Sequence, residues 1–135
     1  MQNGIIILDF GSQYTQLIAR NIRELNTYCE IIPYHQVPTI DATVKGIILS
    51  GSPCSVNDEG APRVDVKAMN ALVPVLGICY GAQLVTTLYG GHVGKSASRE
   101  YGQAKLTNLK ADALLLKGIE QGNEVWMSHA DTILT

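Results

Sequence analysis

The chain has 135 residues, enough for one domain that buries about two-thirds of the surface of its unfolded chain. Hydrophobic residues make up 46% and charged residues 16%, which is typical of a compact α/β protein with a large interior. A net charge of −2, without a basic cluster, argues against nucleic acid as a partner. The apolar runs are too short to span a bilayer, and the N-terminus lacks a basic signal-peptide region, so we expect no membrane partner.

The three cysteines are too few for a disulfide scaffold, and their number is odd. We therefore expect a reducing, cytoplasmic environment. No cysteine and histidine have the spacing of zinc ligands, so we expect no metal in this chain.

The first ninety residues alternate between apolar runs and helical patterns. Strands are predicted at 4–10, 29–34, 45–50 and 74–78, and helices at 14–26, 66–72 and 80–89. A turn at Gly51-Ser52-Pro53 and an irregular polar loop at 55–65 follow the third strand. This alternation predicts an α/β fold with three layers, in which a doubly wound, mostly parallel sheet lies between helices.

The pattern changes after Gly90-Gly91, which ends the last of these helices. Shorter strands are predicted at 92–93, 104–109 and 124–127, with a helical turn at 114–117. We therefore expect short mixed strands toward the C-terminus.

Three loops follow strands at one edge of the predicted sheet, at residues 9–12, 50–53 and 79–81. Ligands of doubly wound sheets bind beyond the carboxyl ends of the strands. We expect the three loops to converge there.

Cys79 lies in Gly77-Ile78-Cys79-Tyr80-Gly81, between an apolar run and a helical pattern. This is the cysteine counterpart of the G-x-S-x-G nucleophile elbow, a strained strand-to-helix turn that exposes its central residue. The two glycines permit close approach of strand and helix, and the start of the helix stabilises a thiolate. Cys79 is therefore a candidate nucleophile, and the alternative is a buried cysteine at a strand end.

A cysteine nucleophile that attacks a carbonyl also needs an oxyanion hole and a base. The backbone N–H groups of Ser52 and Tyr80 are the candidate oxyanion donors, with Pro53 restricting the chain after Ser52. The alternative for the Ser52 segment is an ordinary turn.

The base is not assigned, because none of the three histidines has a decisive context. His35 is expected in a solvated loop, and His92 at the surface or in a helix cap. His129 stands two residues before Asp131, which would orient it, but a histidine packed in a loop at a strand end fits equally well.

Six blocks of sequence carry a resemblance that covers the whole chain in register. They lie at residues 8–14, 49–53, 59–63, 77–83, 99–102 and 125–129. Together they closely resemble the class I glutamine amidotransferases, and within that class the amidotransferase domains of the GMP synthase family. The G-x-C-x-G block is common to the whole class, whereas the opening block, Arg-Glu-Tyr-Gly and Trp-Met-Ser-His favour the GMP synthase group.

The resemblance implies a flavodoxin-like amidotransferase fold in which Cys79 attacks the carboxamide of glutamine. A glutamyl thioester then forms, ammonia is released, and water hydrolyses the thioester. The amides of Ser52 and Tyr80 would stabilise the oxyanion. The amino and carboxylate groups of glutamine would be held by Gln83 and a loop that contributes Ser128, Ala130 and Asp131.

The same resemblance implies a partner, an ATP-pyrophosphatase synthetase domain that uses the ammonia to convert XMP to GMP. ATP and Mg²⁺ are expected in that domain, and no cofactor is expected in this chain. Arg99 and Glu100 would face this partner or form a solvated charge pair. We expect a structural cap at Ser12-Gln13 and no functional role for Cys54.

The chain departs from the family pattern in two places. Gly51-Ser52-Pro53 stands where the family usually has Gly-Gly-Pro, which would strain Ser52 if that position required a positive φ. The family's catalytic histidine and glutamate, in a His-Pro-Glu segment, have no match. Residues 1–135 are therefore expected to be a partial amidotransferase domain with negligible glutaminase activity alone, since losing a general base costs about 10²–10⁴-fold.

Two other functions remain open at this point. One is another class I amidotransferase, serving the synthesis of CTP, anthranilate or carbamoyl phosphate. The other is a non-catalytic α/β module in which Cys79 is a redox-sensitive thiol.

Overall fold

A computed structural model describes residues 3–105, 114–118, 122 and 124–134 of the chain. The described residues form two compact units. The first lies within residues 3–94 together with 133–134, and the second within residues 95–132.

The first unit is built on a four-stranded sheet with helices between the strands. Its elements are β1 Gly4–Asp9, α1 Thr15–Glu24, β2 Tyr28–Pro33, a 3₁₀ turn Tyr34–Gln36, β3 Val44–Leu49, α2 Val66–Asn70, β4 Val75–Gly77 and α3 Tyr80–Leu88. All seven strands and helices predicted over this part of the chain are confirmed, with boundaries that differ by up to two residues at either end.

The strands lie in the order β2-β1-β3-β4, and all three neighbouring pairs are parallel. The Cα partner of Ile7 is Ile31 on one side and Ile48 on the other. This order makes the step between β1 and β3 the place where the winding direction reverses. Doubly wound sheets bind their ligands at that place.

The apolar run of β1 supplies both faces of the sheet, because successive side chains of a strand point in opposite directions. Ile6 and Leu8 belong to one cluster, with residues of α2 and α3, and both are fully buried. Ile7 belongs to the other cluster, with Ala19 of α1. Helices therefore cover both faces, which confirms the predicted three layers.

Helix α1 packs against the sheet through Ala19 and two neighbouring isoleucines. Ala19 is fully buried and Ile18 and Ile22 pack beside it, but Leu17 is 50% exposed. Leu17 and Ala19 are two positions apart, so their side chains point about 200° apart around the helix. Leu17 therefore lies on the exposed side of α1.

The short strands predicted after residue 90 are wrong in extent. A single strand β5 runs over Val93–Lys105 and pairs with β6, Glu124–Ile133, in a two-stranded sheet. The segment from Lys95 to Gly102 is polar and contains no apolar alternation, so its sequence does not signal the strand that forms by backbone pairing with β6. The predicted helical turn is confirmed as a 3₁₀ turn, Leu114–Leu116, while residues 106–109 of a predicted strand lie outside the described part.

No helix in the described part of the chain is long and apolar enough to cross a membrane.

We expect Leu8→Ala to lower the free energy of unfolding by about 2–5 kcal/mol, because it leaves a cavity beneath the sheet where Leu8 is fully buried. Leu17→Ala is the matched control and should change it by less than about 0.5 kcal/mol, since Leu17 is half exposed. Urea unfolding followed by circular dichroism measures both. Equal losses in the two variants would contradict this account of the core.

Candidate active site

Cys79 occupies the turn between β4 and α3, directly before the first residue of the helix. Its backbone has φ 53° and ψ −117°, a conformation that residues with a side chain rarely adopt. Its thiol is exposed, although Tyr80 beside it is buried. The strand–turn–helix context predicted for a nucleophile elbow is therefore present, and the alternative of a buried cysteine is wrong.

The two glycines flanking Cys79 allow the tight turn because no side chain would fit at either position. A Cβ on Gly77 would lie 2.6 Å from the backbone N of Ala82, and one on Gly81 would lie 2.6 Å from the Cβ of Leu49. Helix α3 therefore starts in direct contact with the end of β3.

Backbone hydrogen bonds attach this turn to β3 on both sides of Cys79. Ile78 N–H donates to the Leu49 carbonyl, and Gly81 N–H donates to the Ser50 carbonyl, each at 3.0 Å. Gln83 N–H donates to the Cys79 carbonyl at 3.1 Å as the helix begins. The conformation of Cys79 is thus set by bonds on either side of it.

The three loops predicted to converge do meet around Cys79. A Cβ on Gly51 would lie 3.5 Å from the Cβ of Ser12 and 3.7 Å from the Cβ of Cys79. A Cβ on Gly11 would lie 3.4 Å from Cδ of Pro53. These contacts bring the loops after β1, β3 and β4 to one point at the carboxyl edge of the sheet.

A buried polar network beneath these loops was not predicted from the sequence. The Ser50 hydroxyl is fully buried and donates to the Leu8 carbonyl at 2.7 Å. The Thr15 hydroxyl lies 3.2 Å from Ser50 Oγ and 3.3 Å from Asp9 Oδ1, and Asp9 Oδ1 also accepts from Gly11 N–H at 2.8 Å. The network joins the ends of β1 and β3 to the first turn of α1. The available signal was a serine directly after a buried strand and a threonine at a helix start.

Ser52, the first candidate oxyanion donor, is half-buried in the loop after β3. Among the described residues, Asn26 and Cys79 are the residues other than glycine with a positive φ, so Ser52 is free of the strain considered above. Its hydroxyl instead accepts the N–H of Cys54 at 3.2 Å and closes a local turn. Serine in place of the family's glycine is therefore accommodated.

Tyr80, the second candidate donor, has a side chain that reaches into the core. Its hydroxyl donates to the carbonyl of Pro62, and its ring centroid lies 5.5 Å from that of Phe10. Burial raises the pKa of the Tyr80 phenol above its usual value of 10.0, so the hydroxyl keeps its proton at neutral pH. The side chain is therefore able to donate throughout the physiological pH range.

The residues predicted to bind glutamine lie in different parts of the structure. Gln83 is buried, 9% exposed, one turn of α3 after Cys79. Ser128, Ala130 and Asp131 lie in β6 of the second unit, so the expectation of a loop there is wrong. The side chains of Ser128 and Ala130 lie outside the described residues. The binding role of all four residues stays a prediction.

Two of the three histidines, His35 and His92, have side chains in the described part of the chain. His35 is exposed in the 3₁₀ turn after β2, and His92 is exposed directly before β5, as expected. The side chain of His129 and those of Arg99 and Glu100 lie outside the described residues. Cys54 is exposed.

Ser12 Oγ accepts the N–H of Tyr14 at 3.0 Å and closes a turn before α1. The N-cap of the helix is Tyr14, which makes no side-chain capping bond, so the predicted cap at Ser12-Gln13 is wrong. No group of three or more His, Cys, Asp and Glu side chains that could hold a metal ion occurs in the described part of the chain.

A parallel sheet with a strained, exposed cysteine at a glycine-flanked strand-to-helix turn defines a class of protein. The chain matches the family "Glutamine amidotransferase class-I" over residues 6–135, and it belongs to that family.

Its curated relatives point to one group within the family. A GMP synthase [glutamine-hydrolyzing] from Cytophaga hutchinsonii is 58% identical over 134 residues, covering 99% of this chain and 26% of the relative. One from Bacteroides fragilis is 58% identical over 133 residues, covering 98% of this chain and 26% of the relative. The chain thus spans about a quarter of the length of the curated relatives it matches.

Solved structures agree with the fold. A putative GMP synthase subunit from Thermoplasma acidophilum superposes with a TM-score of 0.80 at 28% identity, covering 99% of this chain and 68% of that one. A glutamine amidotransferase from Thermotoga maritima gives a TM-score of 0.75 at 16% identity, covering 98% and 63%. At 16% identity, the similarity to the Thermotoga maritima protein supports a shared fold only.

The strain at Cys79 predicts an unusual order of stability among its variants. We expect Cys79→Gly to have a free energy of unfolding about 1 kcal/mol higher than Cys79→Ala, because glycine adopts positive φ without a steric penalty. At Cys54, whose φ is not positive, the order should reverse, since glycine gains more entropy on unfolding. Chemical denaturation of the four variants tests this, and the same order at both sites would argue against strain at Cys79.

Proposed function

We propose that this chain is the glutaminase part of a GMP synthase, which hydrolyses glutamine and supplies ammonia for the amination of XMP to GMP. The observation that carries the proposal is the elbow at Cys79, with an exposed thiol on a strained backbone at the start of α3. The curated relatives, which are GMP synthases, support the choice of acceptor.

The reaction begins at the Cys79 sulfur. The thiolate attacks the carboxamide carbon of glutamine, and the carbonyl oxygen takes the negative charge of a tetrahedral intermediate. When that intermediate collapses, the C–N bond breaks, the nitrogen leaves as ammonia after gaining a proton, and a thioester remains. Water then attacks the thioester carbon, which releases glutamate and returns the thiol.

The oxyanion is stabilised by two backbone N–H groups, those of Ser52 and Tyr80. The geometry that supports this assignment is the meeting of the two loops: a Cβ on Gly51, next to Ser52, would lie 3.7 Å from the Cβ of Cys79. Donors that are already in position when charge develops contribute a large share of the rate enhancement in acyl transfer. Ser52 has no positive φ and so keeps its amide without strain.

The substrate is recognised by its α-amino and carboxylate groups. Gln83, buried one turn after Cys79, takes part in this recognition. Several polar contacts to a small zwitterion discriminate against amides that lack those groups.

The acceptor chemistry belongs to a synthetase domain, which activates XMP with ATP and Mg²⁺. The general base is expected in a His-Pro-Glu segment, which the 135 residues do not contain. The 135-residue chain by itself should therefore release ammonia from glutamine at a negligible rate.

Labelling with a chloroketone analogue of glutamine tests the nucleophile and its substrate together. In the protein produced from the whole gene, the reagent should alkylate Cys79, and glutamine should slow the alkylation. Cys54→Ser is the matched control and should label like the wild type, because Cys54 lies outside the turn. Peptide mapping by mass spectrometry locates the adduct.

Activity assays on the same protein test the acceptor. Cys79→Ser should lower glutamine-supported GMP formation by more than about 10⁴-fold, since removing a nucleophile has an effect of that order. Replacing glutamine by ammonium in the assay should restore GMP formation. Labelling at Cys79 that glutamine does not slow would favour a redox thiol, and glutamine hydrolysis without GMP formation would favour another amidotransferase.

A further inference from the structure

The loop from Ser52 to Pro62 begins at one proposed oxyanion donor and ends in a hydrogen bond with the side chain of the residue that carries the other. Its first residue offers one donor, the Ser52 amide. Its far end is bonded to the side chain of Tyr80, whose own backbone amide is the other donor. This end of the loop lies in the block from Glu59 to Arg63, which carries part of the family resemblance.

The middle of this loop is anchored in the first unit by its own contacts. Val56 is fully buried in the main core cluster. Asn57 Nδ2 donates to the Val93 carbonyl at 2.6 Å, and Arg63 Nη2 donates to the Val56 carbonyl at 2.8 Å. The loop therefore has a defined path despite its polar, irregular sequence. A shift of its end at Pro62 would also displace the residues nearer Ser52.

The end of the loop is bonded to α3 through one hydroxyl. Tyr80 donates to the Pro62 carbonyl, and its ring is held by Phe10, with centroids 5.5 Å apart. Phe10 in turn stacks on Tyr34, at 5.5 Å and an interplanar angle of 12°. The ring packing sets the direction of the Tyr80 hydroxyl, and the hydroxyl sets the position of Pro62.

We propose that the Tyr80 side chain is a positioning residue for the oxyanion hole, joining the loop that carries the Ser52 amide to the turn that carries the Tyr80 amide. This rests on the proposed function. The two amides must stand about 3 Å from the same oxygen atom, and they belong to segments far apart in sequence. The bond from Tyr80 to Pro62 holds the two segments in a fixed relation.

The hydroxyl, rather than the ring, carries this role. Phenylalanine at position 80 would keep the ring packing against Phe10 and remove only the bond to Pro62. The raised pKa of the buried phenol means that the hydroxyl is protonated and donating at the pH of an activity assay. A Tyr80→Phe variant therefore isolates the bond.

The experiment uses the protein produced from the whole gene. Tyr80→Phe should lower kcat for glutamine hydrolysis by about 10- to 100-fold, because misplacing an oxyanion donor has an effect approaching its removal. KM for glutamine should stay within about twofold, because the amino and carboxylate contacts are untouched. Alkylation of Cys79 by iodoacetamide forms no oxyanion, so its rate should also stay within about twofold of the wild type.

Tyr34→Phe is the matched control. It removes a hydroxyl from the other ring that packs on Phe10, leaves the bond from Tyr80 to Pro62 in place, and should hydrolyse glutamine like the wild type. Thermal unfolding of both variants checks that the fold is retained.

Four outcomes would overturn the proposal. An unchanged kcat in Tyr80→Phe excludes a positioning role, and so does an equal loss in Tyr34→Phe. Parallel loss of hydrolysis and of iodoacetamide reactivity would indicate general damage to the turn. A wild-type protein that does not hydrolyse glutamine overturns the proposed function, and the positioning role with it, whereas an active wild type with an unaffected variant overturns the positioning role alone.

Discussion

The contact between Gly81 and Leu49 is the constraint on which the candidate site depends. A Cβ at Gly81 would lie 2.6 Å from the Cβ of Leu49, so α3 can start against the end of β3 only if position 81 has no side chain. Once the helix starts there, Gly81 N–H bonds to the Ser50 carbonyl, and only two residues, Ile78 and Cys79, connect β4 to α3. Because Ile78 N–H is bonded to the Leu49 carbonyl, the turn falls on Cys79, which has the positive φ.

The strain at Cys79 is therefore produced by the scaffold. A residue with a side chain in such a conformation costs about 1–3 kcal/mol, which persists only where the surroundings determine it. Here the surroundings are a fully buried strand end at Leu49 and a polar network at Ser50 that ties β1 to β3. The same turn leaves Cys79 exposed at the carboxyl edge of the sheet, where a substrate can reach it.

Local patterns were enough to predict the elements and the nucleophile. The unbroken apolar run of β1 predicts a strand buried on both faces, and Gly-x-Cys-x-Gly predicts a tight turn, because each depends on neighbours in sequence. The buried hydrogen bond between Thr15 and Ser50 could not be predicted, because a serine or threonine at the end of an element usually indicates a turn or cap. Only the fold brings their two hydroxyls together. The length of β5 was missed for the same reason, since its extension depends on pairing with β6.

The oxyanion hole shows why the site is less predictable than its nucleophile. Its two proposed donors lie on separate segments, and no spacing rule relates Ser52 to Tyr80. Their relation is set by long-range bonds, from Gly81 to the Ser50 carbonyl at one end of the loop and from Tyr80 to the Pro62 carbonyl at the other. A sequence pattern can therefore identify the attacking sulfur atom. The positions of the two N–H groups that stabilise the oxyanion, in contrast, depend on how the whole carboxyl edge of the sheet is packed.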